Sequence, residues 1–430
     1  MRHEPIDPRL FIENRAKLTK LLLPDSLAAL NANDVLPTNA DGTLRLQPNS
    51  DLFYLTGIEQ EETILLLYPE AHEEDQREIL FLREANPEME RWEGHKLTKE
   101  EARKISGIKR VEWLSAFRPL FHRLMCECDH VYLNSNEHKR AAIVIETREA
   151  RFVADVQKTY PLHDYQRLAR IMHRLRVVKT DVELELLRRA MAITEAGFRR
   201  VCRFVKPGVT ETEIEAEFAH EFIRQGGQFA YSPIIAGGKN ACVLHYTENS
   251  RPCRSGDLLL LDVAANYANY NADLTRTIPV NGRFTRRQKE VYNAVLRVLR
   301  AASKGAIPGK LPKVWQKEAE KLMVDELLGL GLLKKADVKK HEQGEPSPAK
   351  KYFMHGVGHP LGLDVHDVGL TTEPIQKGWV LTVEPGIYIP DEEMAVRLEN
   401  NIVVREEGNV DLMQHIPIEA EEIERAMRRR

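Results

Sequence analysis

The chain has no apolar run long enough to cross a bilayer, and its first residues, MRHEPIDPRLF, hold no apolar signal core. It has no surplus of basic charge either. Sixty-two Lys and Arg stand against 65 Asp and Glu, a net charge of −3, so nothing argues for nucleic acid or membrane as a partner. Cysteine is scarce. The five present (Cys126, Cys128, Cys202, Cys242 and Cys253) are odd in number and unpatterned, which fits free thiols in a reducing compartment rather than a disulfide framework. Cys126-x-Cys128 lacks the second pair that a zinc site would need. Neither a P-loop nor a Gly-x-Ser-x-Gly elbow occurs. The expectation is a soluble cytoplasmic protein.

What is present is enough apolar residue, 43%, to bury a sizeable core, and a length of 430 residues that suggests two or three domains of about 100–200 residues each. Arg9 to Leu23 and Leu97 to Ile105 read as helices. Ser26 to Asn31, Thr63 to Tyr68, Ile79 to Leu82 and Val131 to Leu133 read as strands, and this alternation predicts a small α/β domain over residues 1–175. Tyr165 to Arg176 reads as a basic helical link. Residues 176–430 then open with three helices announced by capping boxes: Thr180-x-x-Glu183, Thr210-x-x-Glu213 and Thr285-x-x-Gln288. Leu311 to Leu330 reads as a fourth helix, Lys334 to Lys351 as an exposed loop and Ile418 to Met427 as a closing helix ahead of the basic tail Arg428-Arg429-Arg430. Phe229 to Ile235, Cys242 to Tyr246, Tyr352 to His355, Val380 to Ile389 and Ala395 to Val404 have β character.

The chemistry gathers on Leu258 to Thr277, LLLLDVAANYANYNADLTRT. A two-residue loop at Tyr267-Ala268 would set Asp262 opposite Asp273, with Cβ atoms roughly 4.5–5.5 Å apart, where like charges destabilise a sheet. A shared metal, a shared proton or plain turn chemistry would each account for the pair. Further along come His355, His359 and His366, three histidines within twelve residues. The glycines and the proline among them rule out a helical zinc motif. Glu384 ends an apolar run, and Arg397 and Glu399 share one face of a strand-like segment. His245 stands at another apparent strand end. Asp262, Asp273, His359, Glu384 and Glu399 make four carboxylates and one imidazole. That donor set favours Mn²⁺ or Mg²⁺ over thiolate-type zinc, and its charge asks for two divalent ions.

These stretches resemble the aminopeptidase P group of pita-bread metallopeptidases. The resemblance lies in HYTEN from His245, LDVAANYANYNADLTRTIPVNGRFT from Leu261, HGVGHPLGLDVHDVG from His355, LTVEPGIYI from Leu381 and VRLENNIVV from Val396. QPNSDLFYLTG from Gln47 and MERWEG from Met89 resemble the family's smaller domain. The resemblance implies an α/β N-terminal domain followed by an α+β pita-bread catalytic domain with a curved antiparallel sheet. It implies two divalent metals, Mn²⁺ by preference, with Zn²⁺, Co²⁺ or Mg²⁺ as alternatives. Asp262, Asp273 and Glu399 would hold one metal, and Asp273, His359, Glu384 and Glu399 the other. It implies hydrolysis of the Xaa-Pro bond at a peptide's N-terminus by a metal-bridging hydroxide, with Glu384 as proton carrier and His366 and His245 assisting. His245, His355, Val365, His366 and Arg397 would contact substrate. It further implies a homodimer or homotetramer, with Trp92 as a side chain that reaches a neighbouring subunit in some relatives. Leu370 to Trp379 has no Arg where some relatives carry one, and Pro390 to Met394 is short, so peptide-length preference stays open. The competing readings are a prolidase restricted to dipeptides, a silent binding module of the same fold, and a creatinase-like enzyme that needs no metal.

Overall fold

The computed structural model describes residues 3–141, 144–342 and 346–428. The chain divides into two compact units, Pro5–Arg176 and Val177–Arg430, the second joined by the N-terminal residues up to Glu4. Arg429 and Arg430 of the basic tail lie outside the described residues.

The smaller unit is a six-stranded mixed sheet. Its strands are β1 (Ser26–Asn31), β2 (Ile64–Leu67), β3 (Glu78–Leu82), β4 (Arg110–Trp113), β5 (His130–Leu133) and β6 (Asp164–Arg167), in the order β4-β3-β2-β1-β5-β6. β1 is buried along its whole length, which explains its unbroken apolar reading. Leu27, Leu66, Phe81, Phe121 and Val131 pack into one core, and each such side chain contributes about 1.5–3 kcal/mol by leaving water. The short helix Ser50–Thr56 starts on Asn49, whose side chain accepts from the Asp51 and Leu52 amides. It stops at Gly57, whose φ of 69° favours glycine. Tyr165, expected in a helix, lies in β6; the helix begins only at Ala169.

In the larger unit the three capping boxes form as read. Thr180, Thr210 and Thr285 each accept from the third residue of their helix, Asp181–Phe204, Glu211–Arg224 and Arg286–Gly305. All strand pairings are antiparallel, as an α+β pita-bread unit requires. Among the described residues, however, the hydrogen-bonded strands fall into four short pieces. β7 (Gln228–Phe229), β10 (Ala265–Tyr267) and β11 (Tyr270–Asn271) form one, and β8 (Ile234–Gly237), β9 (Leu258–Asp262) and β12 (Thr275–Pro279) another. β13 (Val380–Val383), β16 (Asn400–Val403) and β17 (Val410–Asp411) form the third, and β14 (Gly386–Ile389) and β15 (Met394–Arg397) the fourth. The expected runs Val380 to Ile389 and Ala395 to Val404 are therefore each two strands. The break falls at Glu384-Pro385, where proline has no N–H for a ladder, and at Leu398-Glu399 across from it.

Other expectations are corrected. Cys242 to Tyr246 is no strand; a 3-10 turn, Gly238–Cys242, leads into an irregular loop. Tyr352 to His355 is irregular. The supposed loop Lys334 to Lys351 contains a helix, Lys335–Glu342, and a 3-10 turn, Pro348–Lys351; residues 343–345 lie outside the described residues. The central hairpin turns at Ala268-Asn269, with φ of 50° and 65°, and not at Tyr267-Ala268. Tyr267 pairs with Tyr270, so Asp262 faces Thr275, two residues beyond Asp273. Asn tolerates the left-handed region that the turn's second position demands, which a loop ending at Ala268 would not exploit.

Candidate active site

Asp262 ends β9, and Asp273 leads into β12. The Tyr231 hydroxyl spans them, 2.6 Å from Asp262 Oδ1 and 2.8 Å from Asp273 Oδ1. One hydroxyl proton satisfies only one of these oxygens at a time. Arg397, the last residue of β15, donates from Nη2 to Asp262 Oδ2 at 2.6 Å, from Nη1 to the Tyr388 hydroxyl at 2.8 Å and from Nε to Thr275 Oγ1 at 3.2 Å. Thr275 in turn donates to Glu399 Oε2 at 2.8 Å, so Arg397 and Glu399 do share one side of their segment.

Two neighbouring contacts fix the imidazoles. His355 Nδ1 lies 2.8 Å from the Gly356 carbonyl, so it carries the proton, and Nε2 accepts from the Tyr388 hydroxyl at 2.8 Å. Burial, helped by the Arg397 charge, pushes the His355 pKa down to about 3, and the ring is neutral. His359 Nδ1 lies 2.9 Å from the Pro360 carbonyl, which leaves its Nε2 directed at Asp273 Oδ2 and Glu384 Oε1, each at 3.5 Å. A bare ring nitrogen facing two carboxylates is stable only with positive charge between them.

The rest of the electrostatics points the same way. Burial raises the pKa of Asp262 against the pull of Arg397, raises Glu384 to about 7, and raises Glu399 well above the carboxylate range. Burial alone would lower His359, but Asp273 and Glu384 outweigh it and the net shift is upward. Every one of these groups favours its more positive form. Glu399 Oε1, in a residue 2% exposed, has no hydrogen-bond partner. Single oxygen or nitrogen atoms of Asp273, His359 and Glu399 all lie within 4.8 Å of one another. Buried carboxylates, an orphan oxygen and an imidazole with its lone pair turned inward fit a divalent cation site.

The chain belongs to metallopeptidase family M24. That family's model matches residues 185–406, and the model for the aminopeptidase P N-terminal domain matches residues 11–132. The Xaa-Pro aminopeptidase of Escherichia coli K12 is 34% identical over 97% of each chain. Human Xaa-Pro aminopeptidase 3 is 29% identical over 93% of this chain and 80% of its own. Among solved structures, zinc-substituted E. coli aminopeptidase P in complex with product superposes with a TM-score of 0.86 at 32% identity, covering 99% of each chain. An aminopeptidase of Pseudomonas aeruginosa gives 0.88 at 30%, also over 99% of each. An M24 enzyme is a hydrolase that works with divalent metal.

Of the remaining expected residues, His366 is exposed and stands edge-on to His359, ring centroids 4.4 Å apart. Val365 is half-buried beside it, and His245 is exposed in the loop after Gly238–Cys242. Sequence reasoning overlooked Tyr231, Tyr388 and Thr275. Nothing in Tyr231-Ser232-Pro233 marks the first. The second is explained only by the fold: Gly386 pairs with Arg397, and the Tyr388 ring, two residues on, lies over that glycine.

Proposed function

We propose that the chain is an Xaa-Pro aminopeptidase, hydrolysing the bond between a peptide's first residue and a proline at position two. The observation that carries this reading is the convergence of Asp273, His359 and Glu399, with Asp262 joined to Asp273 through Tyr231 and Glu384 facing His359, in a chain matched along 97% of its length by an Xaa-Pro aminopeptidase.

In this reading Asp262, Asp273 and Glu399 hold one divalent ion, and Asp273, His359, Glu384 and Glu399 the other. Bound there, the ions supply charge compensation, polarise the scissile carbonyl and make water nucleophilic at neutral pH. The chain's own residues do the rest. Glu384, with one oxygen 3.5 Å from Thr382 Oγ1, takes the proton of the attacking water and returns it to the proline nitrogen. Neutral His355, held between Gly356 and Tyr388, offers an apolar ring face to the pyrrolidine. Arg397 keeps Asp262 oriented while bracing that wall through Tyr388. His366 stabilises the carbonyl oxygen as charge develops there. An Xaa-Pro bond has no N–H and a rigid ring, so a pocket of imidazole walls reads it better than an extended-backbone groove.

The donor set of hard oxygens supports Mn²⁺ as the working metal. No helix among the described residues is long and apolar enough to cross a membrane, which accords with a cytoplasmic enzyme. A homodimer or homotetramer completes the reading, with Trp92, 83% exposed, as the side chain available to a neighbouring subunit. The assay is hydrolysis of Gly-Pro and Gly-Pro-Ala by metal-stripped protein with and without Mn²⁺. Mn²⁺-dependent release of glycine from the tripeptide is expected. Cleavage of the dipeptide alone would make the enzyme a prolidase, and cleavage of neither with metal bound would overturn the substrate class.

A further inference from the structure

Glu211 is a fully buried carboxylate that takes no part in the metal cluster. It opens the helix Glu211–Arg224, and its two oxygens are crowded with donors. Oε1 accepts from the Gly237 amide at 2.7 Å and from Asn240 Nδ2 at 3.5 Å. Oε2 accepts from the Arg251 amide at 2.9 Å and from the Tyr246 hydroxyl at 2.8 Å. Gly237 and Arg251 flank one loop, the loop that carries His245 at its tip. The two ends are also tied to each other, since Arg251 Nη1 donates to the Gly237 carbonyl at 2.7 Å.

Inside the loop, exposure alternates without any strand partner. Cys242, Leu244 and Tyr246 pack against the core cluster that contains Leu260 and Tyr388, while Val243 and His245 are exposed. Tyr388 is the residue whose hydroxyl joins His355 to Arg397. The loop thus rests on the substrate wall, and its neighbour in sequence to His245 is the tyrosine that Glu211 holds. A buried carboxylate without four donors would be costly, and four donors without it would be left unpaired.

We propose that Glu211 is a positioning residue for His245: it pins both ends of the 238–251 loop and Tyr246, so that the neighbouring imidazole is delivered to the proline-reading wall. This rests on the aminopeptidase reading for its kinetic consequence, and on geometry alone for the anchorage. Glu211→Gln keeps the shape, yet whichever way the amide is turned, its NH₂ meets an N–H or O–H donor.

Two measurements on the metal-loaded full chain decide it. In hydrogen exchange followed by mass spectrometry, residues 236–251 of E211Q should exchange about tenfold faster while the other segments of the larger unit are unchanged. Unchanged exchange in a folded E211Q overturns the anchorage. In kinetics with Gly-Pro-Ala, E211Q should lower kcat/KM about tenfold, mainly through KM, at unaltered metal content. In a His245→Ala background the same substitution should change kcat/KM less than about twofold, because the group it positions is gone. Equal losses in both backgrounds overturn the proposal. Should E211Q fail to fold, Tyr246→Phe removes a single hydroxyl and enters the same cycle with the same two outcomes. A parent protein that leaves Xaa-Pro peptides intact refutes the aminopeptidase reading, and the exchange measurement still decides whether Glu211 holds the loop.

Discussion

Gly358→Ala tests how tightly the histidine segment is fitted to the rest of the site. Residues 357–361 lie against β13: the Glu384 amide donates to the Val357 carbonyl at 2.8 Å, the Thr382 amide to the His359 carbonyl at 2.9 Å, and the His359 amide to Thr382 Oγ1 at 3.0 Å. A Cβ on Gly358 would overlap the Thr382 carbonyl oxygen and sit 2.9 Å from both the Thr382 carbonyl carbon and Trp315 Cη2. Carbon atoms pack at about 3.5–4.0 Å, so something must move by roughly 1 Å. One of the obstacles is backbone, and the other is the ring of a buried tryptophan whose Nε1 is held by the Ala302 carbonyl. Overpacking of this kind costs about 1–3 kcal/mol, and losing two of the flanking hydrogen bonds adds about 1 kcal/mol each. The total, about 3–5 kcal/mol, corresponds to a fall in Tm of roughly 6–20 °C for a unit of this size. His359 and Glu384 lie on the two segments that must part, so metal affinity should fall with stability. Calorimetry of the metal-loaded protein and a metal competition titration read both quantities. Gly356→Ala is the control, because the nearest atom to its Cβ is 3.8 Å away. A G358A protein that matches G356A in Tm and metal affinity would refute the close-packing argument.

Other outcomes follow from the same geometry. Glu384→Gln should keep the fold and lose about 10²–10⁴-fold in kcat, the usual span for a general base; near-normal turnover would remove Glu384 from that role. His366→Ala should lower turnover with little change in Tm, and an unfolded variant would make the residue structural. Chelation should lower Tm, since a ligand at 100 times its Kd stabilises by about 2.7 kcal/mol; a Tm indifferent to metal would refute the cation site. Glu149 offers a pH test away from the cluster. Burial lifts its pKa to about 7, against hydrogen bonds from the Asn31 amide and side chain. The folded protein therefore holds this proton more tightly than the unfolded chain, and the stability it confers is lost as pH rises toward 7. Glu149→Gln should gain on the parent between pH 4.5 and 7, by up to about 3 kcal/mol. Parallel stability curves across that range would refute it.

The parts of the fold legible in sequence were those written locally. Thr180, Thr210 and Thr285 each stand three residues before a Glu or Gln, and a capping box needs nothing else. Ser26 to Asn31 is a short run with an apolar centre, and its length marks it as a strand buried on both faces. Cys242 to Tyr246 misled because its alternation is real: every second residue packs inward, but the backbone flanking it is bonded to a glutamate and not to a neighbouring strand. Lys335–Glu342 reads as a loop by its polarity and nearby prolines, although lysine, alanine and glutamate are good helix formers. Within the cluster, the carboxylates and imidazole stand out by residue type. Tyr231 and Tyr388 do not, because a tyrosine becomes part of such a site only through where the fold carries its hydroxyl.

The turn at Ala268-Asn269 bears on the order in which the molecule assembles. An alanine at positive φ costs about 1–2 kcal/mol, so the turn itself only weakly selects the register it adopts. A slip by one residue would send the side chains of one strand, Asp273 among them, to the opposite face. The correct register is held from a distance. Asn271 donates to the Gly362 and Leu363 carbonyls at 3.1 and 2.8 Å, and Tyr270 reaches Glu183 at 3.2 Å. Those partners lie about 90 residues away on either side, so the hairpin cannot commit to its register until both have arrived. Closing loops of that length is slow. The hairpin is thereby expected to settle late: Asp262 and Asp273 take their places only once Glu183 and the Gly362-Leu363 segment are there to hold the strands.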